Sequence, residues 1–189
     1  MAKVCVLVAD GSEELETVAV VDVLRRAGAE VFLAGVAGTR AVKASRGVGL
    51  VPDGAWDSAA VAGFDALVVP GGMGGVEAIG AEESVLDALR RFAAAGKWVA
   101  AICAGPQVLD KAGVLEGKQY TCYPGVGMEN TGDGDWVDEP VVVDGRLVTS
   151  QGPGTAVAFA LTLAECLQGL EAAQRTAAGM LLEWPPEEG

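Results

Sequence analysis

The sequence predicts an α/β fold of the flavodoxin-like, doubly wound kind: a mostly parallel sheet sandwiched between helices. Three observations carry this. Short, largely apolar runs at Val4 to Ala9, Phe64 to Val69 and Val99 to Ile102 suit strands buried on both faces of a parallel sheet. Segments with helical patterning alternate with them. Each run also ends in small or turn-forming residues, at the strand ends where such sheets build their sites. At 189 residues the chain reads as one domain, 1–189, with a sizeable core.

Taken in order, Val4 to Ala9 is the first strand and Asp10-Gly11-Ser12 its turn. Ser12 with Glu13, Glu14 and Glu16 approximates a helix-capping arrangement, and Thr17, Val20, Val21 and Leu24 form a buried face at i, i+3, i+4 and i+7. Asp22, Arg25 and Arg26 fall opposite. Glu13 and Glu14 read as dipole compensation on a solvated turn, whereas Glu16 lies on the side of Val20 and Val23, toward the sheet. Gly28 stops the helix, and Glu30 to Gly35 is the second strand. Residues 41–52, with Val42, Val48, Leu50 and Val51 around Ser45-Arg46-Gly47, suggest a small hairpin on which Arg46 is a surface arginine.

Phe64 to Val69 runs into Pro70-Gly71-Gly72-Met73-Gly74-Gly75. That segment lacks the lysine and the spacing of a phosphate loop, so a better reading is a glycine turn whose N–H groups approach a bound atom, as an oxyanion hole requires. Glu82 to Ala95 is a helix closed by Gly96. Lys118 to Pro124 is strand-like and leads into a polar loop from Gly125 to Asp135. Pro140 to Val143 and Arg146 to Thr149 form a hairpin about Asp144-Gly145, of type I′. A helix from Gly152-Pro153-Gly154 through Leu170 and another over Glu171 to Leu182 complete the chain.

Between these lies Lys97 to Pro106, an apolar strand ending in Cys103-Ala104-Gly105 before a helix that begins at Pro106. A cysteine on a strand-to-helix turn faces unpaired N–H groups and the positive end of the helix dipole, which favour thiolate. The plainer alternative is a small buried hydrophobe at a strand end. The convergence of three turns, 10–16, 70–75 and 103–106, at one edge of the sheet favours a functional cysteine.

Composition narrows the classes. A net charge of −13 with 13 scattered Lys and Arg argues against nucleic acid. No apolar run reaches the roughly 18 residues of a membrane span, and the N-terminus does not fit a signal peptide, so a soluble, cytoplasmic protein is expected. The four cysteines, Cys5, Cys103, Cys122 and Cys166, lie far apart without a C-x-x-C, which suggests neither a disulfide framework nor a zinc site. Cys5 and Cys166 read as core. With no histidine in the chain, the Ser-His-Asp and Cys-His classes are removed, and any general acid or base must be a carboxylate, tyrosine, lysine or cysteine.

Gly-Ser-Glu-Glu-Leu-Glu-Thr (11 to 17), Val-Pro-Gly-Gly (69 to 72), Ala-Ala-Ile-Cys-Ala-Gly-Pro (100 to 106) and Thr-Ser-Gln-Gly-Pro-Gly-Thr (149 to 155) together resemble the ThiJ/PfpI superfamily, in the branch of the parkinsonism-associated protein deglycase, the DJ-one type. The resemblance implies that Cys103 is nucleophile and redox sensor, with Glu16 hydrogen-bonded to its sulfur. Gly72 and Ala104 match positions whose N–H groups form an oxyanion pocket, beside Gly71. It also implies a homodimer, with Arg46 and Pro153 near the site, no metal and no cofactor.

Departures matter as well. Tyr123 stands where many relatives carry histidine. Ala104 replaces the histidine of the protease-like branch, which makes protease activity an unfitting expectation, and Gln151 stands where close relatives have arginine.

The activity so implied is a glutathione-independent glyoxalase of the D-lactate dehydratase type, acting on methylglyoxal and glyoxal, or a protein deglycase acting on their early adducts. An oxidative-stress sensor or redox-regulated chaperone with little turnover is the alternative. In either case Glu16 and Cys103 are expected to share one proton, with a Cys103 pKa below about 7.

Overall fold

The protein, represented by a computed structural model, is described over residues 1–38, 40–126 and 134–186. Its first half runs β1 (Lys3–Val8), α1 (Glu14–Arg26), β2 (Glu30–Gly35), β3 (Val42–Lys43), β4 (Gly49–Leu50), β5 (Gly54–Ala55) and β6 (Ala66–Val69). Next come α2 (Met73–Ala81), α3 (Glu83–Ala94), β7 (Trp98–Ile102) and α4 (Pro106–Lys111). The last part is β8 (Gln119–Tyr120), β9 (Asp135–Trp136), β10 (Val141–Asp144), β11 (Leu147–Ser150), α5 (Ala156–Gln168) and α6 (Leu170–Gly179).

Seven strands pair in the order β10-β11-β7-β6-β1-β2-β5, parallel throughout except for β10 against β11. The chain leaves β1 for β2 on one side and returns to β6 and β7 on the other. The strand order therefore reverses beside β1, and the crevice at the carboxyl ends of β1, β6 and β7 is the topological switch point.

Alternate residues of β1 feed two cores, as the two-residue period of a strand requires. Cys5 and Leu7 join α2, α3 and α4 on one face, through Val76, Ile79, Leu89 and Leu109. Val4 and Val6 join α1, α5 and α6 on the other, through Val20, Leu24, Phe159 and Ala177. This is the sandwiched parallel sheet that the alternating pattern predicts. No helix of the described residues is long and apolar enough to cross a membrane.

Several local expectations change. Ser12 does not cap α1: its Oγ accepts from Ala9 N (3.1 Å), and the cap is Glu13, whose Oε2 accepts from Glu16 N (2.8 Å). The segment after Gly72 is a helix, α2, hidden in the sequence because three of its nine residues are glycine. Packing explains the poor helix formers, since a Cβ on Gly75 would lie 2.7 Å from Ser12 Cα.

The β10–β11 turn is Gly145-Arg146, not Asp144-Gly145. Asp144 pairs with Leu147, and positive φ occurs only at Gly145 (+61°), which is the type II′ pattern rather than type I′. Of Lys118 to Pro124 only Gln119–Tyr120 is strand, paired in parallel with Asp135–Trp136 in a separate small sheet. Most of the polar loop at 125–135 lies outside the described residues. The hairpin at 41–52 is present as β3 against β4. Cys5 is buried in the core, but Cys166 is only partly buried.

Candidate active site

β7 carries Cys103 out of the sheet into a turn that its backbone makes unusual. Cys103 adopts φ +63°, a left-handed conformation that few residues with a Cβ accept and that clusters at functional sites. It is held there from both sides: its N–H donates to Ser150 O, and its carbonyl accepts from Tyr123 N, each at 2.9 Å. Gly105 N closes the turn on Ile102 O (2.9 Å). A Cβ on Gly105 would stand 2.5 Å from Val69 O, so the turn presses directly on the end of β6.

The end of β6 supplies the second wall. A Cβ on Gly71 would lie 2.6 Å from Glu16 Oε2 and 2.9 Å from Cys103 Sγ, so the carboxyl and the sulfur meet over this one glycine. Gly71 N donates to Glu16 Oε2 (2.8 Å), and Gly71 O accepts from Glu13 N (2.9 Å). Gly72 follows with φ +85° and packs on the backbone of Gly11 to Glu13.

Glu16 comes from the first turn of α1 and is fully buried, its Oε1 without a hydrogen-bond partner. Cys103, Glu16, Gly71, Gly72 and Ala104 thus come together at the switch point. Arg46, Tyr123 and Pro153 line an open pocket of about 610 Å³ above them.

Residues 2–166 match the model of the DJ-1/PfpI family. The chain belongs to the DJ-1/PfpI family. Protein dj-1beta of Drosophila melanogaster is 46% identical to it over 180 residues, covering 95% of this chain and 96% of that protein. The crystal structure of Drosophila melanogaster DJ-1beta matches the fold with a TM-score of 0.91 at 45% identity, over 97% of this chain and 99% of that one. A Caenorhabditis elegans relative named glutathione-independent glyoxalase DJR-1.2 is 38% identical over 164 residues, covering 86% of each.

In this DJ-1/PfpI member, burial pushes the Glu16 carboxyl up to about 7, against hydrogen bonds with Gly71 N–H and the Cys103 side chain. Burial first, then the charge and hydrogen bond of Glu16, push the Cys103 thiol up to about 12. The N–H groups of Ala104 and Gly72 pull it down. Glu16 therefore raises Cys103 while the hydrogen bond from Cys103 lowers Glu16, and once Glu16 ionises, near 7, the pair holds one proton.

A thiol pKa below about 7, expected from the helix terminus together with a protonated Glu16, is corrected on two counts. α4 has only six residues and offers little dipole, and the sulfur is partly desolvated. The N–H groups of Ala104 and Gly72 lower the thiol pKa without outweighing burial, and a proton on Glu16 removes the like charge beside the sulfur.

The raised Glu16 pKa has a thermodynamic consequence. A carboxyl whose folded pKa lies above its unfolded value of 4.5 binds its proton more tightly in the folded state. The associated stability is complete below pH 4.5 and is lost as pH rises through about 7. The loss is on the order of 3 kcal/mol, at about 1.36 kcal/mol per unit. Urea unfolding at pH 5 and pH 8 should show the parent losing more stability than Glu16→Gln over this interval. Parallel losses in the two proteins would refute a buried, titrating Glu16.

Glu14 is the residue that sequence reasoning misplaced. It is buried, not solvated, and accepts from Arg46 N (2.9 and 3.1 Å) and Ser45 Oγ (3.0 Å) across the β3–β4 turn. Burial pushes its carboxyl up, but its own N–H, those of Arg46 and Val48, and the Ser45 hydroxyl outweigh this and hold it below the usual range. No spacing signal separates Glu14 from Glu13, because the cap and the first helical residue stand side by side in one acidic run. Only the fold, by laying the turn against α1, distinguishes them. Tyr123 is about half exposed (48%), and Gln151 donates to Asp138 Oδ1 (2.7 Å) outside the pocket over Cys103.

Proposed function

We propose that the protein is a cofactor-free, glutathione-independent glyoxalase that converts 2-oxoaldehydes such as methylglyoxal and glyoxal to 2-hydroxy acids, with the same thiol chemistry serving deglycation of their early adducts. The observation that carries this reading is the buried Glu16 carboxyl set beside the Cys103 sulfur over Gly71, at the floor of an open pocket. The name of the Caenorhabditis elegans relative supports it.

In this reading the Cys103 thiolate attacks the aldehyde carbon, and the carbonyl pair moves to oxygen, where the Ala104 and Gly72 N–H groups stabilise it. Glu16 delivers its proton to that oxygen, giving a hemithioacetal, and is left as carboxylate. The carboxylate then removes the hydrogen from the former aldehyde carbon and returns it to the neighbouring carbon through an enediol. One carbon is oxidised as its neighbour is reduced, so no external oxidant enters. Water hydrolyses the resulting thioester to lactate and restores the thiol.

Incubating the pure protein with methylglyoxal while following substrate and lactate together tests the reading. Stoichiometric lactate supports it; substrate loss without lactate refutes it. A redox-sensor reading shares the site, because the two N–H groups that face the sulfur would equally hold the oxygens of a sulfinate. It wins if peroxide yields one sulfinate per chain and methylglyoxal yields no turnover.

Tyr123 is not the proton carrier here. Tyr123 is half-exposed on the pocket wall, and Glu16, buried beside the sulfur, already fills the role. Tyr123→Phe should keep turnover within about tenfold of the parent, by steady-state kinetics, whereas Glu16→Leu should lose far more. Equal losses would overturn this division of labour.

A further inference from the structure

The N–H groups of Gly72 and Ala104 are aimed at the sulfur by bonds made behind them. A trans peptide points its C=O and its N–H in opposite directions, so whatever holds the carbonyl also fixes where the amide hydrogen goes. The carbonyl of the Gly71–Gly72 peptide accepts from Glu13 N, and that of the Cys103–Ala104 peptide accepts from Tyr123 N, each at 2.9 Å. The other ends of these two peptides face Cys103. Glu13 N is fixed by its place as the cap of α1. Tyr123 N has no such element under it, because β8 ends at Tyr120 and residues 121–123 belong to neither strand nor helix.

β11 supplies the missing support. It is paired on both edges, with β10 and with β7, so its backbone is committed to the sheet and only a side chain standing off its face can reach a segment that crosses it. Thr149 does this: its Oγ1 accepts from Thr121 N at 2.9 Å, and both residues are fully buried. Ser150, on the opposite face, braces the other side of the elbow. Its carbonyl takes the Cys103 N–H (2.9 Å), and its hydroxyl is tied to Pro140 O (2.8 Å) and Thr155 Oγ1 (2.6 Å). The end of β11 thus holds the peptide before Cys103 directly, through Ser150, and the peptide after it at one remove, through Thr149.

We propose that Thr149 is a positioning residue of the active site: by holding the Thr121 N–H it sets the Tyr123 N–H behind the Cys103 carbonyl, and so aims the Ala104 N–H at the oxyanion that develops over Cys103. The proposal rests on the reading of Cys103 as the nucleophile and Ala104 as an oxyanion donor. Such a donor stabilises a transition state only when it is in place before the charge forms, which gives a buried hydroxyl at the end of an apolar strand its use.

Thr149→Val keeps the shape of the side chain and removes the acceptor. Its kcat on methylglyoxal should fall by about 10- to 100-fold, less than the loss of a whole oxyanion donor, with KM changed by less than about threefold. Thr149→Ser keeps the oxygen and should return kcat to within about threefold of the parent. A purely structural threonine gives the reverse pattern: a lower urea midpoint in Thr149→Val with kcat unchanged.

A second readout needs no turnover. The Ala104 N–H lowers the Cys103 pKa, so alkylation by iodoacetamide, followed on the Cys103 peptide by mass spectrometry, should slow several-fold in Thr149→Val and keep the parental rate in Thr149→Ser. If the parent forms no lactate and alkylation still follows this order, the reaction reading fails and the positioning role stands. If Thr149→Val matches the parent in alkylation and in any turnover, or if Thr149→Ser falls as far as Thr149→Val, the role is overturned. Should Thr149→Val fail to fold, Thr149→Cys puts a weak acceptor in the same place and should fall below Thr149→Ser in both readouts; parity between them overturns the role.

Discussion

Cys103→Ser is expected to lower lactate release from methylglyoxal by at least about 10³-fold, with folding retained, because it replaces a nucleophile that ionises near Glu16 with a hydroxyl that does not. The side chain changes by one atom, and the turn is held by backbone bonds from Ser150 and Tyr123 that the substitution leaves in place. Cys5→Ser is the necessary comparison. Cys5 is fully buried in the core beneath α2 and α3, out of reach of any substrate, whereas Cys103 lines the open pocket. Serine there places a hydroxyl in an apolar core, which costs stability and leaves the chemistry intact. Steady-state kinetics paired with thermal unfolding separates the two effects. Activity lost in Cys5→Ser while its unfolding transition is unchanged would overturn the assignment of Cys103.

The second large effect falls on stability. Gly72→Ala puts a Cβ onto Gly11 O and within 2.6 Å of Glu13 N and 2.8 Å of Ser12 C, all backbone atoms with no rotamer to escape into. It also forces a residue with a side chain to φ +85°. Strain and overpacking each cost about 1–3 kcal/mol, so a loss of about 3 kcal/mol or more is expected from urea unfolding. Gly113→Ala isolates the conformational part: Gly113 has φ +72° and nothing within 4 Å of a built Cβ. It should cost about 1–2 kcal/mol. Equal losses at the two positions would mean that the close approach of Gly72 to the β1–α1 turn is not what requires glycine.

These two residues also mark what was legible in the sequence. Cys103 could be picked out because a buried-strand pattern ends at it and small residues follow; the periodicity signals both the element and its end. The main strands of the sheet and the separate β3–β4 hairpin were readable, whereas the two-residue edge strand β5 was not. α2 was not, since its glycines are dictated by contact with Gly11 and Ser12 across the switch point, and local propensity argues against a helix that tertiary packing demands. The capping role of Glu13 and the clamp formed by Glu14 were hidden by a similar gap, because adjacent acids look alike until the β3–β4 turn is laid beside them. Glu16 was placed toward the sheet by its helical phase, but its meeting with Cys103 and Gly71 is a contact between stretches far apart in the chain.

That separation bears on how the protein becomes active. Glu16 and Gly71 are 55 residues apart, and Cys103 lies a further strand away, so no local segment contains even two of these three residues. The chain must close these loops and align β1, β6 and β7 side by side before the thiol acquires its neighbours. Nascent or partly folded chains consequently carry an ordinary cysteine, and reactivity arrives only with the completed centre of the sheet. Any opening that frees the first turn of α1 or the end of β6 returns Cys103 to that unassisted state while the outer strands remain paired.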